Sequence, residues 1–124
     1  MRNLDGARVL LLEDEFLIAL DAEQILKELG AQRVETAATL SEAEQRARDG
    51  DFDIALLDVN INGQMSFNLA ESLRARGVPV VFATGYELKG RAIPNLEAAF
   101  CVSKPYTSDS LRQALCAALA ARSA

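Results

Sequence analysis

The residues best equipped for chemistry in this chain are polar side chains that fall at the ends of apolar runs. Glu13 and Asp14 follow one run, Asp58 follows another, and Thr84 and Lys104 close two more. Carboxylates gathered in one partly buried crevice repel one another, and that repulsion pushes at least one towards protonation. A hard divalent cation removes the conflict. Magnesium takes carboxylate oxygens, carbonyls and waters in octahedral array, so Glu13, Asp14 and Asp58 suit it far better than they suit zinc. Lys104 adds a fixed positive charge, and the Thr84 hydroxyl adds a donor. A metal, an ammonium and a hydroxyl around one carboxylate describe a place where a phosphoryl group could be received, because each would stabilise the charge on its oxygens. On this reading Asp58 is the nucleophile and the product is an acyl phosphate.

Composition narrows the alternatives. The chain has no histidine, which excludes a Ser-His-Asp triad, a Cys-His pair and a histidine zinc site within it. Its net charge of -5, with no basic patch in view, repels phosphate backbones and anionic membranes, so neither nucleic acid nor membrane is expected as a partner. The apolar runs are strand-sized and the N-terminus shows no charged-then-apolar signal pattern, which points to the cytoplasm. At 124 residues, with 50% hydrophobic and 25% charged, the chain is expected to be one soluble globular domain spanning 1–124. Cys101 and Cys116 lack metal-ligand company and are expected to be buried, reduced thiols.

The elements that must position these residues are legible as alternating periods. Residues 7–12 form an apolar run broken only by Arg8, the pattern of a strand covered on both faces, and 16–29 carry Ile18, Ala22, Ile25 and Leu29 at helical spacing before Gly30. Residues 32–37 are a weaker strand; Thr39 with Glu42 resembles a capping box opening a helix that fades by Gly50. A third strand covers 53–57. The loop 59–65 holds the turn signal Asn62-Gly63, and Ser66 can cap a helix whose inward face is Phe67, Ala70 and Leu73. Strands at 78–83 and 100–103 follow, and 108–122 is a C-terminal helix with Leu111, Leu115, Ala118 and Leu119 on one stripe. Strand and helix alternating in this way predict a doubly wound α/β fold, a five-stranded parallel sheet with helices on both faces. Its crevice lies outside the carboxyl ends of the strands, where the polar residues fall. Each of these residues alone has an ordinary explanation as a helix cap or a strand end; it is their convergence on one edge that favours a site.

With those residues in place, the chain resembles the receiver domain of bacterial two-component response regulators over essentially its whole length. The stretches LLLEDE, LLDVN, FATGY and SKPY carry the likeness, each at the end of an expected strand. The resemblance implies a flavodoxin-like sheet of order 2-1-3-4-5, with Asp58 as phosphoacceptor and Glu13 and Asp14 as the metal-binding acidic pair. It implies that Asn60 offers its backbone carbonyl to the metal and that Thr84 and Lys104 contact the phosphoryl group. The implied donor is a phosphohistidine on a sensor histidine kinase or a histidine phosphotransfer protein. Lys104-Pro105 would be cis, where sequence alone favours trans.

Two departures from the family pattern stand out. The fifth-strand position that usually holds an aromatic is Cys101, and Phe100 falls on the opposite face by strand alternation. The segment 87–99, where receivers place a fourth helix, contains Gly90 and Pro94, so an irregular or shortened helix is expected. The FATGY run resembles the FAT-GUY subgroup of single-domain receivers. In that setting Gly85 keeps the backbone slim beside the phosphoryl site, while Tyr86 either takes over the switching motion or packs on the domain edge. A receiver alone would signal by binding an unidentified downstream protein, or act as a phosphate sink, and would be no enzyme beyond its own phosphorylation and dephosphorylation. A small magnesium-dependent phosphatase would want a carboxylate two positions after the nucleophile, where Asn60 stands. A nucleotide- or flavin-binding module would want a glycine-rich turn after the first strand, where the chain reads EDEF.

Overall fold

The computed structural model describes residues 4–84 and 100–122. Its long strands are β1 (Arg8–Leu12), β2 (Arg33–Ala37), β3 (Ile54–Asp58), β6 (Val80–Thr84) and β7 (Phe100–Ser103), with two short ones, β4 (Asn60–Ile61) and β5 (Gln64–Met65). The helices are α1 (Phe16–Glu28), α2 (Leu40–Asp49), α3 (Phe67–Ala75) and α4 (Ser108–Arg122). The five long strands pair in parallel in the order β2-β1-β3-β6-β7, the flavodoxin-like order expected once the hairpin strands are set aside.

Side chains that alternate along each strand divide the interior in two. Val9, Leu11, Ile54, Leu56, Val81 and Ala83 meet Ala22, Ile25 and Leu26 of α1 and Leu111, Leu115 and Ala118 of α4 on one face. Leu10, Leu12, Ala55, Leu57, Val80 and Phe82 meet Ala43 and Ala47 of α2 and Leu69, Ala70 and Leu73 of α3 on the other. Because β1 and β3 are covered on both sides, nearly every residue in them is apolar, and each buried leucine stabilises the fold by about 1.5–3 kcal/mol. β2 lies at the sheet edge with only Ala37 buried, which explains its weaker apolar signal.

Local signals set the helix ends. Gly30 follows the α1 C-cap residue with φ +108°, a conformation that a side chain would strain. Thr39 caps α2, its Oγ1 accepting the Glu42 N–H at 3.1 Å, while Glu42 Oε1 accepts the Ala38 N–H at 2.8 Å. This is the expected box, with the glutamate reaching one residue further back.

Three expectations need correction or refinement. The loop 59–65 is folded into the antiparallel β4–β5 hairpin. Ser66 precedes α3 but its side chain makes no cap bond; Oγ donates instead to the Asp58 carbonyl at 2.7 Å. Neither cysteine is in a disulfide, but Cys101 is exposed, because β7 is an edge strand whose inward-facing residue is Val102, and Cys116 on α4 is half-buried. Phe100 packs with the α1–α4 core, on the opposite face from Cys101 as alternation requires. The Lys104-Pro105 bond is cis. Gly85, Tyr86 and the irregular helix expected at 87–99 lie outside the described residues. Among the described residues no helix is long and apolar enough to cross a membrane.

Thr39→Ala removes the side-chain half of the α2 cap and is expected to lower the urea-unfolding free energy by ~1 kcal/mol with an unchanged m value. A loss of no more than about 0.2 kcal/mol would show that the cap contributes little.

Candidate functional site

β1 has β2 on one side and β3 on the other, and α1 and α3, which leave the ends of β1 and β3, pack on opposite faces of the sheet. A crevice therefore opens beyond the carboxyl ends of β1 and β3. Sheet pairing continues one step past several strands: the Glu13 N–H donates to Ala37 O at 3.0 Å, Val59 N–H to Ala83 O at 3.1 Å, and Lys104 N–H to Thr84 O at 3.1 Å. The polar residues at the strand ends are thus carried on hydrogen-bonded rungs and not on free loops.

Oxygens of Glu13, Asp14 and Asp58 all lie within 4.8 Å of one another. Lys104 Nζ reaches over them, donating to Asp58 Oδ2 at 2.8 Å and to Glu13 Oε1 at 3.2 Å. The Glu13 and Asp58 residues are only 1% and 3% exposed, whereas Asp14 is half-buried at the crevice mouth. Backbone donors support each carboxylate. Glu15 N–H reaches Glu13 Oε2 at 3.1 Å, Asn60 N–H reaches Asp58 Oδ1 at 3.4 Å, and Asn62 N–H reaches Asp14 Oδ2 at 3.3 Å.

Burial is the strongest influence on Glu13 and Asp58, and it raises both above their ordinary carboxyl values. For Glu13 the Glu15 N–H and the Lys104 charge act against burial, and the neighbouring Asp58 charge acts with it. For Asp58 the Lys104 hydrogen bond and charge oppose burial, and Asp14 reinforces it. Burial alone would lower Lys104, but its bonds and charge interactions with Asp58 and Glu13 prevail and raise it. One ammonium therefore does not compensate three carboxylates. The donor set is all oxygen and includes a buried carboxylate pair, so a hard divalent cation fits it and a thiophilic metal does not.

The structure brings Glu13, Asp14, Asp58 and Lys104 together and sets Asn60 beside them. Thr84 is the last residue of β6, in register with Ser103, its carbonyl bonded to the Lys104 N–H. Ser66, expected from sequence only as a helix cap, and Tyr106, given no role there, also belong to the surroundings. Ser66 is fully buried against the Asp58 backbone. Tyr106 is buried with its hydroxyl unpartnered among the described residues, and burial, then the Glu13 and Asp58 charges, raise its pKa. A serine beside a helix start reads as a cap, so the sequence held no signal of its other role.

The family model described as the Response regulator receiver domain matches residues 9–116. The chain belongs to this family. It is similar to SdrG from Sphingomonas melonis Fr1, at 38% identity and TM-score 0.82 over 93% of this chain and 97% of that one. The BeF3-activated conformation of SdrG matches at 38% identity and TM-score 0.79 over 93% and 98%. Among curated proteins it is similar to the phyllosphere-induced regulator PhyR of Methylorubrum extorquens, at 30% identity over 82% of this chain. The sensory transduction protein LytT of Bacillus subtilis is 27% identical over 87% of the chain. The chain spans less than half the length of these curated relatives, 39% of PhyR and 46% of LytT.

The raised Glu13 and Asp58 values carry a sign. Protonation of either favours the folded state, a contribution complete below the ordinary carboxylate values and lost as pH rises through the raised ones. Metal-free Asp58→Asn is therefore expected to melt above the wild type at neutral pH. The gap should narrow as pH falls towards the ordinary carboxylate range. Thermal melts in chelator across that range check it, and a wild type more stable than the variant at neutral pH would contradict the shift.

Proposed function

We propose that this chain is a receiver unit that takes a phosphoryl group onto Asp58 from a phosphohistidine. The donor sits on a sensor histidine kinase or a histidine phosphotransfer protein in the cytosol. The observation that carries this reading is the placing of one buried aspartate between an ammonium and an acidic pair, Asp58 lying 2.8 Å from Lys104 Nζ and beside Glu13 and Asp14. SdrG, its relative, has a BeF3-activated conformation, and beryllium trifluoride is a tetrahedral stand-in for a phosphoryl group.

A carboxylate oxygen of Asp58 attacks phosphorus in line with the phosphorus–nitrogen bond. As the new phosphorus–oxygen bond forms, the bonding pair to nitrogen leaves with the imidazole, which takes up a proton from solvent. Lys104 keeps its proton throughout, since Asp58 and Glu13 hold its pKa above the ordinary lysine value, and its ammonium turns from the carboxylate to the incoming oxygens. The Thr84 hydroxyl is assigned to a second phosphoryl oxygen. Magnesium, held by Glu13, Asp14, Asp58 and the Asn60 carbonyl, would supply the positive charge that neutralises the three carboxylates and the phosphoryl oxygens.

Drawing Thr84 towards the phosphoryl group would shift an existing equilibrium of the strand end, with Gly85 and Tyr86 next in the chain as the switch segment. Output is then binding of a downstream protein, or simple storage of phosphate. Turnover of phosphate esters is disfavoured by the residue two places after Asp58. Asn60 is not an acid, and its Oδ1 is engaged by the Gly63 N–H at 2.9 Å.

Incubation with acetyl phosphate and magnesium, followed by intact mass measurement, is expected to add one phosphoryl group to the wild type and none to Asp58→Asn. Lys104→Ala should slow the addition by at least tenfold, about the effect of losing one charge-stabilising group. An equal adduct on Asp58→Asn would refute the assignment.

A further inference from the structure

The segment between Asp58 and α3 bears on the acidic crevice through its backbone. Asn62 and Gly63 have φ of 52° and 86°, the signature of a type I′ two-residue turn, and Ile61 pairs with Gln64 and Asn60 with Met65. In such a hairpin the pair beside the turn exchanges both its backbone hydrogen bonds, and the next pair exchanges none. The polar edge of Asn60 therefore faces away from β5. Its N–H shows the direction by reaching Asp58 Oδ1 at 3.4 Å, and the carbonyl of a strand residue points to the same edge as its N–H.

The hairpin is fastened at both ends. At its base Ser66, 0% exposed, donates Oγ–H to the Asp58 carbonyl at 2.7 Å and its N–H to the Val59 carbonyl at 3.0 Å. Along its length the Gly63 N–H holds Asn60 Oδ1 at 2.9 Å, and at its tip the Asn62 N–H holds Asp14 Oδ2 at 3.3 Å. The Ser66 hydroxyl is the connection that leaves the hairpin and grips the phosphoacceptor's own backbone. It does so at the start of α3, where the same hydroxyl could have capped the helix and does not.

We infer that Ser66 is a positioning residue for the divalent cation: by closing the base of the hairpin it holds the Asn60 carbonyl and the Asp14 carboxylate at the spacing the ion requires. The inference rests on the metal-assisted reading above, and it concerns a side chain that is not itself a ligand. Outer groups that orient metal ligands typically change affinity by roughly 10–100-fold when removed.

The test is calorimetric titration with magnesium chloride alone, with a melting curve recorded for every variant. Ser66→Ala is expected to bind magnesium roughly tenfold more weakly than the wild type. Ile25→Val, a core truncation at the far end of α1, is the control that lowers the melting temperature and leaves magnesium affinity unchanged. If Ser66→Ala does not fold, Asn60→Ala releases the Gly63 N–H while keeping the backbone carbonyl, and it should weaken binding in the same direction. Wild-type affinity in Ser66→Ala, or an equal loss in Ile25→Val, would overturn the positioning role while leaving the metal-assisted reading intact. A wild type that binds no magnesium would overturn both.

Discussion

The structure turns on the Lys104 ammonium lodged between two carboxylates that burial would otherwise neutralise. Asp58 and Glu13 are almost completely withdrawn from water, where an isolated charge costs several kcal/mol or more, and each accepts a hydrogen bond from the same Nζ. The compensation is incomplete, because both carboxyls still titrate above their ordinary values. An incompletely neutralised crevice is unfavourable for a resting fold and useful for a switch. On the proposed reading, a divalent cation would relieve that imbalance and a phosphoryl group would then be received beside it.

Such an arrangement needs precise placement of groups that are far apart in the chain, since Lys104 is 91 residues from Glu13 and 46 from Asp58. The parallel sheet supplies it. Glu13, Val59 and Lys104 each continue the ladder by a backbone bond to the neighbouring strand, so register in the core sets the geometry at the edge. The two apolar clusters on either face hold that register, because a slip of one residue would exchange the side chains of Leu10 and Leu12 with those of Val9 and Leu11.

The hairpin after Asp58 adds a second layer of control. Its base is closed by the Ser66 hydroxyl, which donates to the Asp58 carbonyl at 2.7 Å. It joins the start of α3 to the backbone at the end of β3. Tyr106, whose hydroxyl has no partner among the described residues, lies on the opposite side, in the α1–α4 core, where the charges of the site reach it.

The sequence by itself determined the strand and helix succession, the acidic and basic residues that converge, and the Thr39–Glu42 box, because periodicity, carboxylate placement and local capping are properties of neighbouring residues. Even the strand order followed from motif resemblance. Tertiary structure alone decided the fate of Ser66, which local chemistry reads as a cap, and of Cys101, whose apolar character suggested burial but whose edge strand turns it outward. It also decided that residues 60–65 fold into a hairpin with its polar edge on the crevice. These outcomes depend on which distant backbone atom comes within about 3 Å of a side chain, and that distance is set by the packed sheet, not by the residues on either side.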